Sequence, residues 1–308
     1  METFLYLFIH YGLPLLLLIY FIFKKIDNKL GLIITAIFSI SILLLLYLWG
    51  QWPIVGSYYF RYLVLILKLA FLLIFYIKNK SISKSIKHSG IFGKIRSVLT
   101  CLVSLIIIFA CVKVIFFNSN YNYETIELSF PLQNGEFYVS SGGTNNLMNN
   151  HVGEYENSQQ YAIDVNKLNN LKSVSKQILS KKNESHFIYS DTVYCPCNGI
   201  IQEIKNNVDD NVISSINVSS KDGLGNFVSL KCDSIYISML HLKKGSVFVT
   251  PESEIKTGEP IGLVGNSGFS QEPHLHIQAS KFNSDSTLVG IPMKFRDRIL
   301  SRNNLFKN

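Results

Sequence analysis

The chain has 308 residues, room for about two domains, and carries 29 Lys+Arg against 21 Asp+Glu, a formal charge of +8. The excess is confined to residues 1–117, with 12 Lys+Arg and 2 Asp+Glu, whereas the remainder holds 17 and 19. Basic residues spaced between apolar runs are not a nucleic-acid footprint, so no nucleic-acid partner is expected.

The apolar runs come first along the chain. Residues 4–23 and 30–49 are uncharged apart from their flanks, and each is long enough to cross a bilayer. Residues 98–117 form a similar run with Lys113 near its end, where a long side chain can reach the interface. Residues 55–77 carry Arg61 near one end and Lys68 in the middle. Four such runs predict an α-helical membrane region over 1–119, with the lipid bilayer as its partner. An ionisable group at mid-membrane depth marks a functional position by default, although a shift in helix register would move Lys68 nearer an interface.

The loops set an expected orientation. Lys24, Lys25 and Lys29 face only Asp27 in the first connection. Lys78, Lys80, Lys84, Lys87, Lys94 and Arg96 face no acid in the third. The second, residues 50–59, has no basic residue. Basic loops stay cytoplasmic, which places the N-terminus and the C-terminal domain outside the cell membrane. The first run opens Met1-Glu2-Thr3 without the positive charge or small-residue cleavage site of a signal peptide.

The five cysteines do not form a disulfide framework. Cys101 and Cys111 lie in the fourth run as small apolar residues. Cys195 and Cys197 flank Pro196 on an expected strand, and a disulfide from Cys232 to one of them is left open. A Cys-x-Cys pair without a second pair is weak evidence for a metal.

From about residue 120 the pattern changes to short alternating segments at 161–165, 199–204, 226–230, 235–242, 246–249 and 274–279. These predict a mostly antiparallel β domain over 120–308, with a core at about 130–295. A polar insert at 166–190 is expected to be partly helical around 171–179.

The chemistry concentrates in GLVGNSGFSQEPHLHIQ, residues 262–278, which ends in His274-Leu275-His276. On a strand, side chains at i and i+2 share a face, so one imidazole can hold a metal while the other works beside it. A hydrolytic zinc site needs three protein ligands from imidazole and carboxylate, an open fourth position, and a group that moves protons. Asp164 in YAIDV lies opposite Ile163 and Val165, and His241 in SMLHL falls at the end of another strand. His151 and His186 complete the histidines of this domain. In Gly265-Asn266-Ser267-Gly268, Asn266 and Ser267 are candidate substrate contacts, with a tight turn as the plainer account.

The stretch from Gly258 through His276 resembles the lysostaphin-type zinc endopeptidases that cut bacterial peptidoglycan. So do the strand ending in His241-Leu242 and CPCNGIIQEI at 195–204, and the resemblance spans about 130–295. It implies a compact antiparallel β core with a groove and one zinc ion. By that resemblance His276 and Asp164 are metal ligands, and His241 and His274 are catalytic. The common pattern places a histidine four residues before the aspartate, where this chain has Gln160, a poor zinc ligand. His151 in GGTNNLMNNH is the expected third ligand, as in family variants that resemble this arrangement, and His186 competes with it. The implied activity is zinc-dependent hydrolysis of peptidoglycan peptides. Two other readings stay open: a degenerate, non-catalytic module that binds the wall or activates other wall hydrolases, and a membrane sensor.

Overall fold

The computed structural model describes residues 2–23, 29–81, 90–117, 124–153, 157–213, 216 and 218–308. Of the charged loop residues that set the expected orientation, Lys24, Lys25, Asp27, Lys84 and Lys87 lie outside the described residues. The chain divides into two compact units, Met1–Ile115 and Phe116–Asn308.

Most of the described residues of the first unit are helical, as its long apolar runs dictate. Helix α1 (Glu2–Leu7) passes through a π-helical turn at Phe8–Gly12 into α2 (Leu13–Phe23). It is followed by α3 (Lys29–Trp49), α4 (Arg61–Ser81) and α5 (Ile91–Phe117). Among the described residues, four helical stretches are long and apolar enough to cross a membrane: Leu5–Phe23, Lys29–Trp49, Tyr58–Lys80 and Ile91–Phe116. The last begins seven residues before the expected run at 98, because Lys94 and Arg96 are good helix formers that extend it as a polar turn. Phe21, Leu32, Leu43, Val64 and Phe71 pack α2, α3 and α4 together. Other large apolar side chains face outward, among them Phe23, Leu69, Ile106 and Phe109. Arg61 is buried at the start of α4, its guanidinium carbon 4.3 Å from the centroid of the Tyr47 ring. Lys68 is half-buried in the middle of the same helix.

The second unit is a β domain. In chain order its strands are β1 (Ile126–Glu127), β2 (Glu136–Ser141), β3 (Ile163–Leu168), β4 (Thr192–Tyr194), β5 (Gly199–Lys205), β6 (Asn226–Cys232) and β7 (Ile235–Leu242). These are followed by β8 (Glu254–Ile255), β9 (Pro260–Leu263), β10 (Leu275–Phe282), β11 (Leu288–Ile291), β12 (Met293–Phe295), β13 (Arg298–Ile299) and β14 (Leu305–Lys307). The main sheet runs β14-β2-β3-β10-β7-β6-β5-β8, with β11 also paired to β10. All its pairs are antiparallel. Val139, Val165, Leu230, Ile237, Met239 and Ile277 belong to its core.

Three local expectations fail for identifiable reasons. The insert forms no helix at 171–179 and only a 3-10 turn at Asn183–Ser185. Lys172 (φ 57°) and Leu179 (φ 54°) are left-handed, and the Asn169 side chain accepts from the Ser173 N–H at 2.9 Å. Such local side-chain bonds compete with helix. Cys195-Pro196-Cys197 is a bend between β4 and β5 rather than strand, since proline has no N–H for a ladder. Residues 246–249 are not a strand either. Val247 there donates to the Asn206 side chain at 3.2 Å instead of to a neighbouring strand.

The open question about Cys232 is resolved in favour of Cys197, with Cα atoms 6.3 Å apart. Cys195 is a buried free thiol that donates to the Cys197 carbonyl at 3.0 Å, and burial pushes its pKa up.

Candidate metal centre

Asp164 and His276 meet because β3 and β10 are antiparallel neighbours in a register that sets them directly opposite one another. Opposed residues on one face of a sheet have Cβ atoms about 5 Å apart. The Asp164 Oδ1 lies 3.1 Å from His276 Nδ1. His276 is at the middle of the sheet, with β7 on its other side through Leu240, and it is only 1% exposed. Its Nε2 lies 2.9 Å from the Gln278 side-chain oxygen, an acceptor, so the ring proton sits on Nε2. Nδ1 is then a lone pair, buried and without a hydrogen-bond partner. A lone pair and a carboxylate oxygen facing each other at this distance fit two groups that share a cation.

The third donor comes from the loop after β2. His151 Nε2 is 3.0 Å from both carboxylate oxygens of Asp164. Its ring packs edge-on to that of His276, with centroids 4.6 Å apart. His151, Asp164 and His276 offer one ligand atom each within 4.8 Å of one another. Two imidazoles and a carboxylate are a donor set suited to zinc. Burial alone would raise the Asp164 carboxyl, but the neighbouring His151 and His274, and the hydrogen bond from His151, hold it well below the usual carboxylate range. Burial, and then the neighbouring His151, push His276 down, so its imidazole stays neutral.

Two more histidines border this cluster. His274 immediately precedes β10 rather than lying on it, yet its Nε2 still faces Asp164 at 3.7 Å. Its Nδ1 donates to the Glu272 carbonyl at 2.8 Å. His241, the penultimate residue of β7, is buried with φ 63°, a left-handed conformation uncommon outside glycine. The Gly265 N–H donates to its carbonyl at 3.1 Å, and its own Nδ1 donates to the Ser267 carbonyl at 2.8 Å. Both rings therefore keep Nε2 away from their anchors. The His241 and His274 centroids are 4.9 Å apart. Burial, and then His274 and His276, hold His241 well below the usual histidine range.

Asn266 and Ser267 are fully buried, and their side chains serve the turn rather than an open surface. Ser267 Oγ donates to the Leu242 carbonyl at 2.7 Å and accepts from the Asn226 N–H at 2.8 Å. Asn266 Nδ2 donates to the Asn183 side chain at 3.0 Å and to the Asn211 carbonyl at 3.2 Å. In this conformation the expected substrate contacts are structural. The turn also needs its glycine at 268, where φ is 79° and a Cβ would lie 2.3 Å from the Gly225 nitrogen. His186 stays apart from the cluster, its Nε2 3.7 Å from the Glu272 carboxylate.

Residues 189–287 match the model of Peptidase family M23. The match is confined to that stretch of the chain. It contains His241, His274 and His276, while Asp164 and His151 precede it. Among solved structures, a zinc-containing peptidase from Vibrio cholerae is 16% identical, over 56% of this chain and 37% of its own, with TM-score 0.31. The prophage-encoded M23 protein EnpA from Enterococcus faecalis, as a mutant catalytic domain, is 18% identical over 52% of this chain and 92% of its own, with TM-score 0.30. The catalytic domain of the antimicrobial peptidase lysostaphin from Staphylococcus simulans is 23% identical over 35% of this chain and 77% of its own, with TM-score 0.25. No curated protein sequence matches the chain. Upstream of the matched stretch, Gln160 stands where a first ligand was expected, and its backbone carbonyl accepts from Asn149 at 3.1 Å.

Sequence reasoning missed Gln278, which fixes the His276 tautomer, and Asn149, which ties down the His151 loop. Gln278 has a local signal, being two residues from His276 on the same strand face. Asn149 has only its bond to the His151 N–H two residues on as a local signal, since its other partners lie on separate segments.

Proposed function

We propose that the protein is a membrane-anchored zinc metalloendopeptidase that hydrolyses peptides of bacterial cell-wall peptidoglycan. The observation that carries this reading is the convergence of His151, Asp164 and His276 beside His241 and His274. His151, Asp164 and His276 would hold one zinc ion, which when bound lowers the pKa of water toward neutrality and polarises a carbonyl. His274 presents Nε2 to Asp164 at 3.7 Å and the His241 ring lies beside it, centroids 4.9 Å apart, with Nδ1 of each anchored on a backbone carbonyl. Each can take up a proton or donate one to a leaving amine, and the protonated ring stabilises developing negative charge. The low pKa of His241 keeps it a neutral acceptor at rest.

Four long apolar helices support anchoring in the cell membrane. The basic first and third loops support an outward-facing catalytic domain, whose reach is then limited to wall material next to its own membrane.

Gln160 favours one alternative, a non-catalytic M23 module that binds the wall or activates other wall hydrolases. The two readings part on a single experiment with the detergent-solubilised full-length protein. Zinc content is measured, and peptide release from purified peptidoglycan is followed for wild type and His274→Ala. Stoichiometric zinc and release that depends on His274 are expected. A zinc-loaded protein that releases nothing, or as much with His274→Ala as without, removes the enzymatic reading.

A further inference from the structure

The third proposed ligand sits on a loop, whereas the other two sit on paired strands, and a loop histidine needs something to hold its position. The segment 142–153 contains no regular element. At its centre is Asn149, fully buried, with every polar atom of its side chain engaged. Its amide nitrogen shares its two protons among the carbonyls of Gly143 at 2.9 Å, Gln160 at 3.1 Å and Ala162 at 3.2 Å. Its oxygen accepts from the His151 N–H at 2.9 Å and from Ser141 Oγ at 3.3 Å. One side chain thus joins the end of β2, both limbs of the loop and the approach to β3, two residues before Asp164. From the other side, the buried Arg302 donates to the carbonyls of Ser140 at 2.9 Å and Leu147 at 3.1 Å, and to the Asn150 side chain at 2.6 Å.

We infer that Asn149 is the positioning residue that lets His151 serve as the ligand missing at Gln160. This rests on the metal centre proposed above. The residue touches neither substrate nor reacting atoms. It binds the backbone N–H of the ligand residue and the carbonyl of the residue that stands in the vacated position, and so fixes the distance between the substitute and the site it replaces. Neutral Asn suits this place because it both donates and accepts. Asp would face three carbonyls with a charge, and Ala would leave the His151 N–H unpaired.

The test is zinc affinity of the full-length protein in detergent, measured by chelator competition, in a double-mutant cycle of Asn149→Ala with His151→Ala. Partners that orient a ligand are worth about 10–100-fold in metal affinity, and Asn149→Ala is expected to lower affinity by about that factor in the wild-type background. In the His151→Ala background it is expected to change affinity by less than about threefold, since the ligand it positions is already gone. Equal losses in both backgrounds would mean that Asn149 only supports the fold, and no loss in either would overturn the inference outright. If Asn149→Ala does not fold, Asn149→Ser, which gives up the amide donors to Gly143, Gln160 and Ala162, enters the same cycle under the same criteria. Failure of the underlying reading looks different: wild type without zinc, or His151→Ala binding zinc as tightly as wild type, before Asn149 is touched.

Discussion

The two sources of the proposed metal ligands differ in how they are held. Asp164 and His276 are locked by a ladder: β3 and β10 pair in the main sheet, and the register alone sets the two side chains face to face. His151 is held by side chains, through Asn149 and the Arg302 contacts with its loop. A ladder distributes its constraint over many backbone bonds, whereas the loop depends on a few groups that each single substitution can remove. The strand-borne half of the site is therefore rigid by topology and the loop-borne half by local chemistry.

This difference can be broken open by substitution. Replacing Asp164 or His276 by Ala is expected to reduce zinc affinity by more than about a thousandfold, beyond the 10–100-fold typical of outer partners, as read by chelator competition. His151→Ala is expected to cost on the order of a hundredfold, because two strand-borne donors remain in place. Full zinc occupancy in that variant would remove His151 from the ligand set. Gln278→Ala should lower affinity about tenfold by releasing the His276 tautomer, and Gln278→Glu, which keeps an acceptor, should restore most of it. His241→Ala is expected to leave zinc affinity unchanged while peptide release falls by about 10²–10⁴-fold, the usual range for a lost proton-transfer group. Cys197→Ser should not touch the metal at all. It removes a crosslink between residues 35 apart in sequence, for which chain entropy suggests a loss of about 3–4 kcal/mol of stability, read by denaturant unfolding.

The ladder-borne half was legible in the sequence and the loop-borne half only in outline. The helical unit follows from continuous apolar runs, and β7 from alternation over 235–242, its observed bounds. His276 and Asp164 announce themselves because a strand's two-residue period and a family motif point to the same residues. The separation of His151 from Asp164 allows them to meet but does not say how. That depends on Asn149 reaching four segments and on Arg302, more than 150 residues away, reaching back. The left-handed backbone at His241 was equally hidden, since it arises from Gly265 and Ser267 folding over the end of β7. The expected helix at 171–179 failed because apolar spacing was read without the asparagine and serine bonds that outcompete it.

The Cys197–Cys232 link has a consequence for the chain as a covalent object. It joins the start of β5 to the end of β6, across the open end of a hairpin whose far end is the connection through Asp209, Asp222 and Gly225. A protease that cuts once anywhere in that connection leaves two fragments still tied together. Such a nicked chain runs as one species without reductant and separates into two when thiol is added.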